Sequence, residues 1–142
     1  MDNYDHLKLE NQLCFPLYAA SREVIKKYRP YLEEIELTYT QYVAMMVLWE
    51  HGRCSVKELG ERLYLDSGTL SPLLKSLEAK GFVTRTRSDE DERAVMVEPT
   101  LYGGEILREK ASPIPAAVGS CVELSPEEAA ELYRLLYKLL GR

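Results

Sequence analysis

Leu63-Tyr64-Leu65-Asp66-Ser67-Gly68-Thr69-Leu70 is the stretch that decides the fold. Asp66-Ser67-Gly68-Thr69 is a cluster of small polar residues suited to a helix N-terminus, where side-chain oxygens accept otherwise unpaired backbone N–H groups. Behind it, Leu70, Leu73, Leu74 and Leu77 recur at helical spacing as far as Lys80-Gly81. Ahead of it, Ser55-Val56-Lys57-Glu58 has capping-box spacing and opens a short helix running to Leu63. Two short helices joined by a tight turn read as a helix-turn-helix, although an ordinary helical hairpin carries the same pattern. The following segment favours the former. Phe82-Val83-Thr84-Arg85-Thr86-Arg87 and Ala94-Val95-Met96-Val97-Glu98 both alternate with strand period around the polar loop 88–93. A hairpin placed directly after a helix-turn-helix is a wing. Four consecutive acids, Asp89 to Glu92, occupy its tip and read as solvated surface, which leaves Arg93 as the residue suited to enter a groove.

Upstream, Thr38-Tyr39-Thr40-Gln41 is a further capping box. It opens a helix, apolar nearly all round, through Tyr42, Val43, Met45, Met46, Leu48 and Trp49. That helix is expected to be the most buried of the domain and to stop at His51-Gly52. An N-terminal helix is expected from about Lys8 to Tyr28, ended by Arg29-Pro30 because the residue before proline avoids the helical region. Pro16 requires either a late start, with Cys14 at the helix N-terminus, or a kink; the leucine stripe before Pro16 favours the kink. Cys14 lies on that stripe with Tyr18 four residues on. Free cysteine is often a small core hydrophobe, so burial is the plain alternative to reactivity. Downstream, a helix is expected from Leu101 to Lys110, interrupted at Ser112-Pro113-Ile114-Pro115. Ser125-Pro126-Glu127-Glu128 then starts a final helix whose Leu132, Leu135, Leu136 and Leu139 form a face suited to a partner seam or to core.

With 142 residues, 46% of them hydrophobic, the chain is long enough for one real core, and a single domain 1–142 is expected. Cys14, Cys54 and Cys121 are odd in number and widely spaced, which argues against a disulfide scaffold and a structural zinc site; no metal and no cofactor are expected. No signal peptide and no membrane span are expected, and a cytoplasmic, reducing setting follows. The net charge of −5 works against nucleic acid, so any DNA binding must come from local placement of Lys and Arg.

The order of helix, buried helix, helix-turn-helix, wing and terminal helices resembles the multiple-antibiotic-resistance (MarR) family of dimeric regulators. Leu9-Glu10-Asn11-Gln12-Leu13-Cys14-Phe15, Leu17-Tyr18-Ala19-Ala20-Ser21-Arg22-Glu23, Leu37-Thr38-Tyr39-Thr40-Gln41-Tyr42, Leu63 to Leu70 and Asp91-Glu92-Arg93 resemble its organic hydroperoxide resistance branch. The fold expected is mainly α with a small β-hairpin. The winged helix-turn-helix spans 36–100, with a wing at about 82–98, and the dimerisation helices occupy 1–35 and 101–142.

The resemblance implies a homodimeric repressor on a near-palindromic double-stranded operator, released when an organic hydroperoxide oxidises Cys14. It further implies that Tyr28 and Tyr39 hold the thiolate with Tyr18 nearby, and that Cys121 of the other subunit resolves Cys14 as a disulfide. DNA contacts would come from Ser67, Thr69, Ser71 and Lys75 on the second helix of the motif, with Arg85 on phosphate and Arg93 in a minor groove. Pro16 stands where the family commonly has a small residue, and Ser88 and Glu90 replace the first Asp and Arg of the wider family's wing.

Cys14 and Tyr28 lie about 14 residues apart on one expected helix, roughly 21 Å, so a hydrogen bond between them requires a second subunit. A rim of Phe15, Leu17 and Met46 suits alkyl hydroperoxides better than hydrogen peroxide. Two alternatives share parts of this pattern. A thiol peroxidase would use the same first oxidation, but the thioredoxin-like strand and helix are missing around Cys14. A regulator of the same fold released by a phenolic or drug-like ligand would leave Cys14 merely buried.

Overall fold

The computed structural model describes residues 3–91 and 93–142; Glu92, one of the four wing-tip acids, lies outside the described residues. Two short 3-10 turns, Asp5–Leu7 and Leu9–Asn11, precede α1 (Cys14–Glu34) and α2 (Tyr39–His51). Then follow β1 (Cys54–Ser55), α3 (Val56–Leu63), α4 (Ser67–Ala79), β2 (Val83–Arg87) and β3 (Val95–Pro99). A π-helical turn, Tyr102–Ile106, leads into α5 (Leu107–Ala111), α6 (Ile114–Gly119) and α7 (Pro126–Leu139).

The N-terminal helix departs from the expected bounds at both ends. Lys8 and Gln12 adopt extended backbone, so the leucine stripe before Pro16 is broken into separate turns. The Gln12 amide donates to the carbonyls of His6 and Lys8 at 2.7 and 2.8 Å, and Asn11 Nδ2 donates to Asp5 O at 2.7 Å, which satisfies those turns locally. The helix then starts at Cys14 with Pro16 in its first turn, where a missing N–H costs nothing. The expected kink gives way to the late start. At the other end α1 continues through Pro30 to Glu34. One lost backbone bond there is outweighed by the core contacts of Leu32 and Ile35, 2% and 9% exposed, and of neighbouring Leu37.

Local capping decides the other helix starts. Thr38 and Gln41 close a full capping box on α2, and Ser125 and Glu128 close one on α7. Ser55 Oγ accepts from Glu58 N, and an Asp66 carboxylate oxygen from Thr69 N at 2.8 Å. Gly52 ends α2 at φ 72° and ψ −128°, a backbone region open to glycine and strained for other residues.

β2 and β3 form the expected hairpin, antiparallel with Arg85 opposite Val97 and Thr86 opposite Met96. The short strand β1, absent from the sequence expectation, adds to β3 with Cys54 opposite Val97, and the sheet order is β1-β3-β2. Met45 and Leu48 of α2, Leu59 of α3, Leu70, Leu74 and Leu77 of α4, Phe82 just before β2, and Val83 and Val97 of the sheet belong to the core. The helix expected over 101–110 opens instead as the π turn. There Gly103 O accepts from Trp49 Nε1 at 2.8 Å and the Tyr102 ring stacks on Phe82 at 5.6 Å. α7 contributes no buried residue to this core; Leu132, Leu135 and Leu139 stay exposed and face Leu13 and Leu17 of the α1 start across an apolar groove. No helix among the described residues is long and apolar enough to cross a membrane.

Candidate redox and nucleic-acid interface

The structure brings together only some of the residues singled out in the sequence. Around the thiol, Cys14 is exposed as the first residue of α1, on a helix N-terminus that has no side-chain cap. Within the single chain Cys14 is therefore not part of the core. Leu13, Phe15 and Leu17 beside it are exposed, 78, 43 and 42%, and form an apolar rim. Tyr18 sits one turn on; Arg22 Nη1 donates to its hydroxyl at 3.2 Å, and the guanidinium carbon lies 5.5 Å from its ring centre.

Tyr28, at the far half of α1, meets Tyr39, the first residue of α2, edge-on with ring centres 5.0 Å apart. Tyr42 joins both rings, at 5.9 and 6.3 Å, and adjoins Trp49 at 6.4 Å. Burial, followed by proximity to Tyr28, pushes the Tyr39 and Tyr42 phenols above the usual tyrosine range, so both remain protonated donors. Fourteen positions separate Cys14 from Tyr28 on this one helix, about 21 Å at the usual rise, and the paired tyrosines cannot reach the sulfur of their own chain. Cys121 is exposed just after α6, its thiol donating to Ala117 O at 3.5 Å. Cys54 is buried at 3%, and burial raises its thiol above the usual range.

Apart from these residues, Ser67 and Ser71 of α4, Arg85 of β2 and Arg93 of the wing line one cleft. Thr69 and Lys75 are also exposed on α4 but lie outside its lining. Arg93 is held in place by Asp91, whose carboxylate accepts from Arg93 N at 2.9 Å, and Ala94 N closes the turn on Asp91 O at 3.0 Å. The Arg85 guanidinium is committed to Glu78 of α4 at 3.2 Å, and its backbone N–H donates to the same carboxylate at 3.1 Å. That clamp ties wing to helix. Lys57, on the first turn of α3, also lines the cleft and was not singled out in the sequence; its position just after the Ser55 cap, on the helix ahead of α4, was the available signal. Among the described residues no cluster of His, Cys, Asp or Glu has the makings of a metal site.

A family model described as "MarR family" matches residues 37–95. The chain is 51% identical over 141 residues to the organic hydroperoxide resistance transcriptional regulator of Bacillus subtilis strain 168, covering 99% of this chain and 95% of that relative. Reduced AbfR of Staphylococcus epidermidis bound to DNA superposes with a TM-score of 0.80 at 31% identity, over 99% of this chain and 95% of that one. The disulfide-formed AbfR superposes with a TM-score of 0.66 at 33% identity, over 96 and 95% of the two chains.

Proposed function

Because the chain belongs to the MarR family of transcriptional regulators, we propose that it is a homodimeric, DNA-binding repressor released by oxidation of Cys14 with an organic hydroperoxide. The observation that carries this reading is the split site on α1. An exposed thiol occupies one end, and the Tyr28–Tyr39 pair, about 21 Å away along the helix, can serve only the thiol of a second copy. The exposed leucine face of α7 beside the α1 start supplies an apolar seam for that second copy. The relative of 51% identity, an organic hydroperoxide resistance regulator, supports the oxidant class.

In this mechanism the sulfur attacks the peroxide as thiolate, the nucleophilic form, with phenol donors from the partner beside it. The sulfur attacks the terminal peroxide oxygen and the O–O bond breaks. The alkoxide leaves and takes up a proton as the alcohol, while the sulfur keeps the hydroxyl as a sulfenic acid. The Cys121 thiol of the other subunit then displaces water and forms a disulfide, which requires the two α carbons to come within about 7 Å. A helix displacement that brings them together would change the spacing of the DNA-binding lobes.

On DNA, α4 lies in the major groove with Ser67, Thr69 and Ser71 toward bases or phosphates, Lys57 and Lys75 on phosphates, and Arg93 in the adjoining minor groove. Arg85 contributes to phosphate binding while its clamp to Glu78 sets the angle of the wing. The protein works in the cytoplasm, where thiols are kept reduced.

The test is a gel shift on a duplex selected by the reduced protein from a randomised pool. Cumene hydroperoxide should release the wild type and leave Cys14→Ser bound. Non-reducing electrophoresis after the same treatment should give a covalent dimer that Cys121→Ser lacks. Release of Cys14→Ser by the hydroperoxide would reject the sensor assignment.

A further inference from the structure

Among the described residues the core encloses a polar side chain, Gln41, which is 5% exposed. Its Oε1 accepts from Thr38 N and from Lys80 Nζ, both at 3.1 Å, and its Nε2 donates to Ser76 Oγ at 3.0 Å. A backbone N–H and an ammonium can only donate, so the orientation of the amide is settled by its partners. Both acceptor sites of the oxygen are thereby used. Lys80 also donates to the carbonyl of Glu36, a residue held at φ 59°, where a side chain is strained.

These partners belong to two different elements. Thr38 and Glu36 form the α1–α2 joint, immediately before Tyr39; Ser76 lies in the C-terminal half of α4 and Lys80 is its C-cap. Tyr39 in turn packs against Tyr28 of α1. Any event that displaces the tyrosine pair must move the first turn of α2, and with it the Thr38 cap on which the Gln41 amide rests. Gln41 itself is buried while Thr38 and Lys80 are exposed and Ser76 is half-buried, so a shift of the α2 start that broke any of these bonds would leave the buried amide short of a partner, and keeping them passes the movement to α4.

We infer that Gln41 is the positioning residue coupling the Tyr28–Tyr39 pair to the recognition helix α4, through its bonds to Ser76 and Lys80. The inference deepens the redox-repressor reading and rests on it for the signal. The coupling itself is testable without any oxidant.

A double-mutant cycle supplies that test, using the selected duplex and the reduced protein. Tyr39→Ala should weaken operator affinity about tenfold in the wild-type background and less than about twofold in Gln41→Met, which keeps the volume but removes the amide. Gln41→Glu, whose carboxylate can accept from all three partners, should restore the full Tyr39 effect. Should Gln41→Met fail to fold, Ser76→Ala, which deletes only the α4 partner, replaces it in the same cycle. Equal Tyr39 effects in both backgrounds would overturn the inference.

The second arm treats the same proteins with cumene hydroperoxide and measures Cys14 oxidation by mass spectrometry alongside operator affinity. Gln41→Met should be oxidised as fully as the wild type, yet the reduced-to-oxidised affinity ratio should fall about tenfold. An unchanged ratio, or a loss of Cys14 oxidation, overturns the inference. A wild type indifferent to hydroperoxide together with a non-additive cycle would sink the redox reading and leave the coupling standing.

Discussion

Replacing Gly103 by alanine perturbs the joint between wing and C-terminal helices at its tightest point. A Cβ built on Gly103 falls 2.0 Å from the carbonyl oxygen of Phe82, 2.8 Å from its carbonyl carbon and 2.9 Å from its Cα. Carbon–oxygen contacts ordinarily settle at about 3.3–3.6 Å, so the overlap exceeds about 1 Å and falls on backbone. Phe82 cannot give way easily: its side chain is 1% exposed, its N–H donates to Leu77 O, and its oxygen accepts from Thr100 N, both at 3.0 Å. The π turn must retreat instead, pulling Gly103 O away from Trp49 Nε1 and Gly103 N away from Thr100 Oγ1. Overpacking of about 1–3 kcal/mol plus two hydrogen bonds of about 1 kcal/mol each gives a destabilisation of about 3–5 kcal/mol. That is a large part of the roughly 5–15 kcal/mol that holds a domain of this size together. Urea unfolding followed by tryptophan fluorescence measures it, and the midpoint should fall by about 2 M at a slope of roughly 2 kcal/mol/M. Gly104→Ala is the control, because its added carbon meets only the Pro99 ring at 3.4 Å, and it should shift the midpoint little. A Gly103→Ala protein as stable as the wild type would refute the close approach.

Iodoacetamide at neutral pH should modify Cys14 and Cys121 quickly and Cys54 only on unfolding, because burial holds the Cys54 thiol above its usual range; rapid native labelling of Cys54, read by peptide mapping, contradicts its burial. Glu78 and Asp66 are held below the usual carboxylate range, the first by hydrogen bonds from Arg85 and the second by the backbone N–H of Thr69. A lowered folded value means that their stabilisation is complete above the ordinary carboxylate range and is lost as pH falls through the lowered value. Thermal melts of wild type and Glu78→Gln should therefore converge on acidification, and a constant gap would contradict the clamp. Arg93→Ala should weaken operator binding and make its salt dependence shallower by about one ion, whereas Asp91→Ala, which loosens only the hold on Arg93, should cost less. An unchanged salt slope for Arg93→Ala would remove that residue from the DNA contact.

Some of this structure could be read directly from short stretches of chain. Thr38 with Gln41, Ser55 with Glu58, Asp66 with Thr69 and Ser125 with Glu128 satisfy their helix starts within three residues, so each cap is a local event. The wing is legible for the same reason: a period of two in 82–87 and 94–98 needs no distant partner to be recognised, and the strands form at Val83–Arg87 and Val95–Pro99. Cys14 and the tyrosines were also conspicuous as residue types, through the resemblance their neighbours carry.

What lay beyond local reading depends on residues far apart in the chain. Proline rules place the end of α1 before Pro30, but the burial of Leu32, Ile35 and Leu37 carries the helix on to Glu34, because core contacts outweigh one missing backbone bond. The two-residue strand β1 exists only because β3 offers it an open edge. Arg85, which reads in isolation as an unpaired cation, is paired with Glu78 seven residues earlier on α4. Gln41 shows both levels in one side chain: three residues suffice to recognise it as part of a cap, while its bonds to Ser76 and Lys80 appear only once α2 packs on α4. Capping and periodicity are satisfied by neighbours, whereas the paired rings and the buried amide derive their chemistry from groups that folding alone brings within reach.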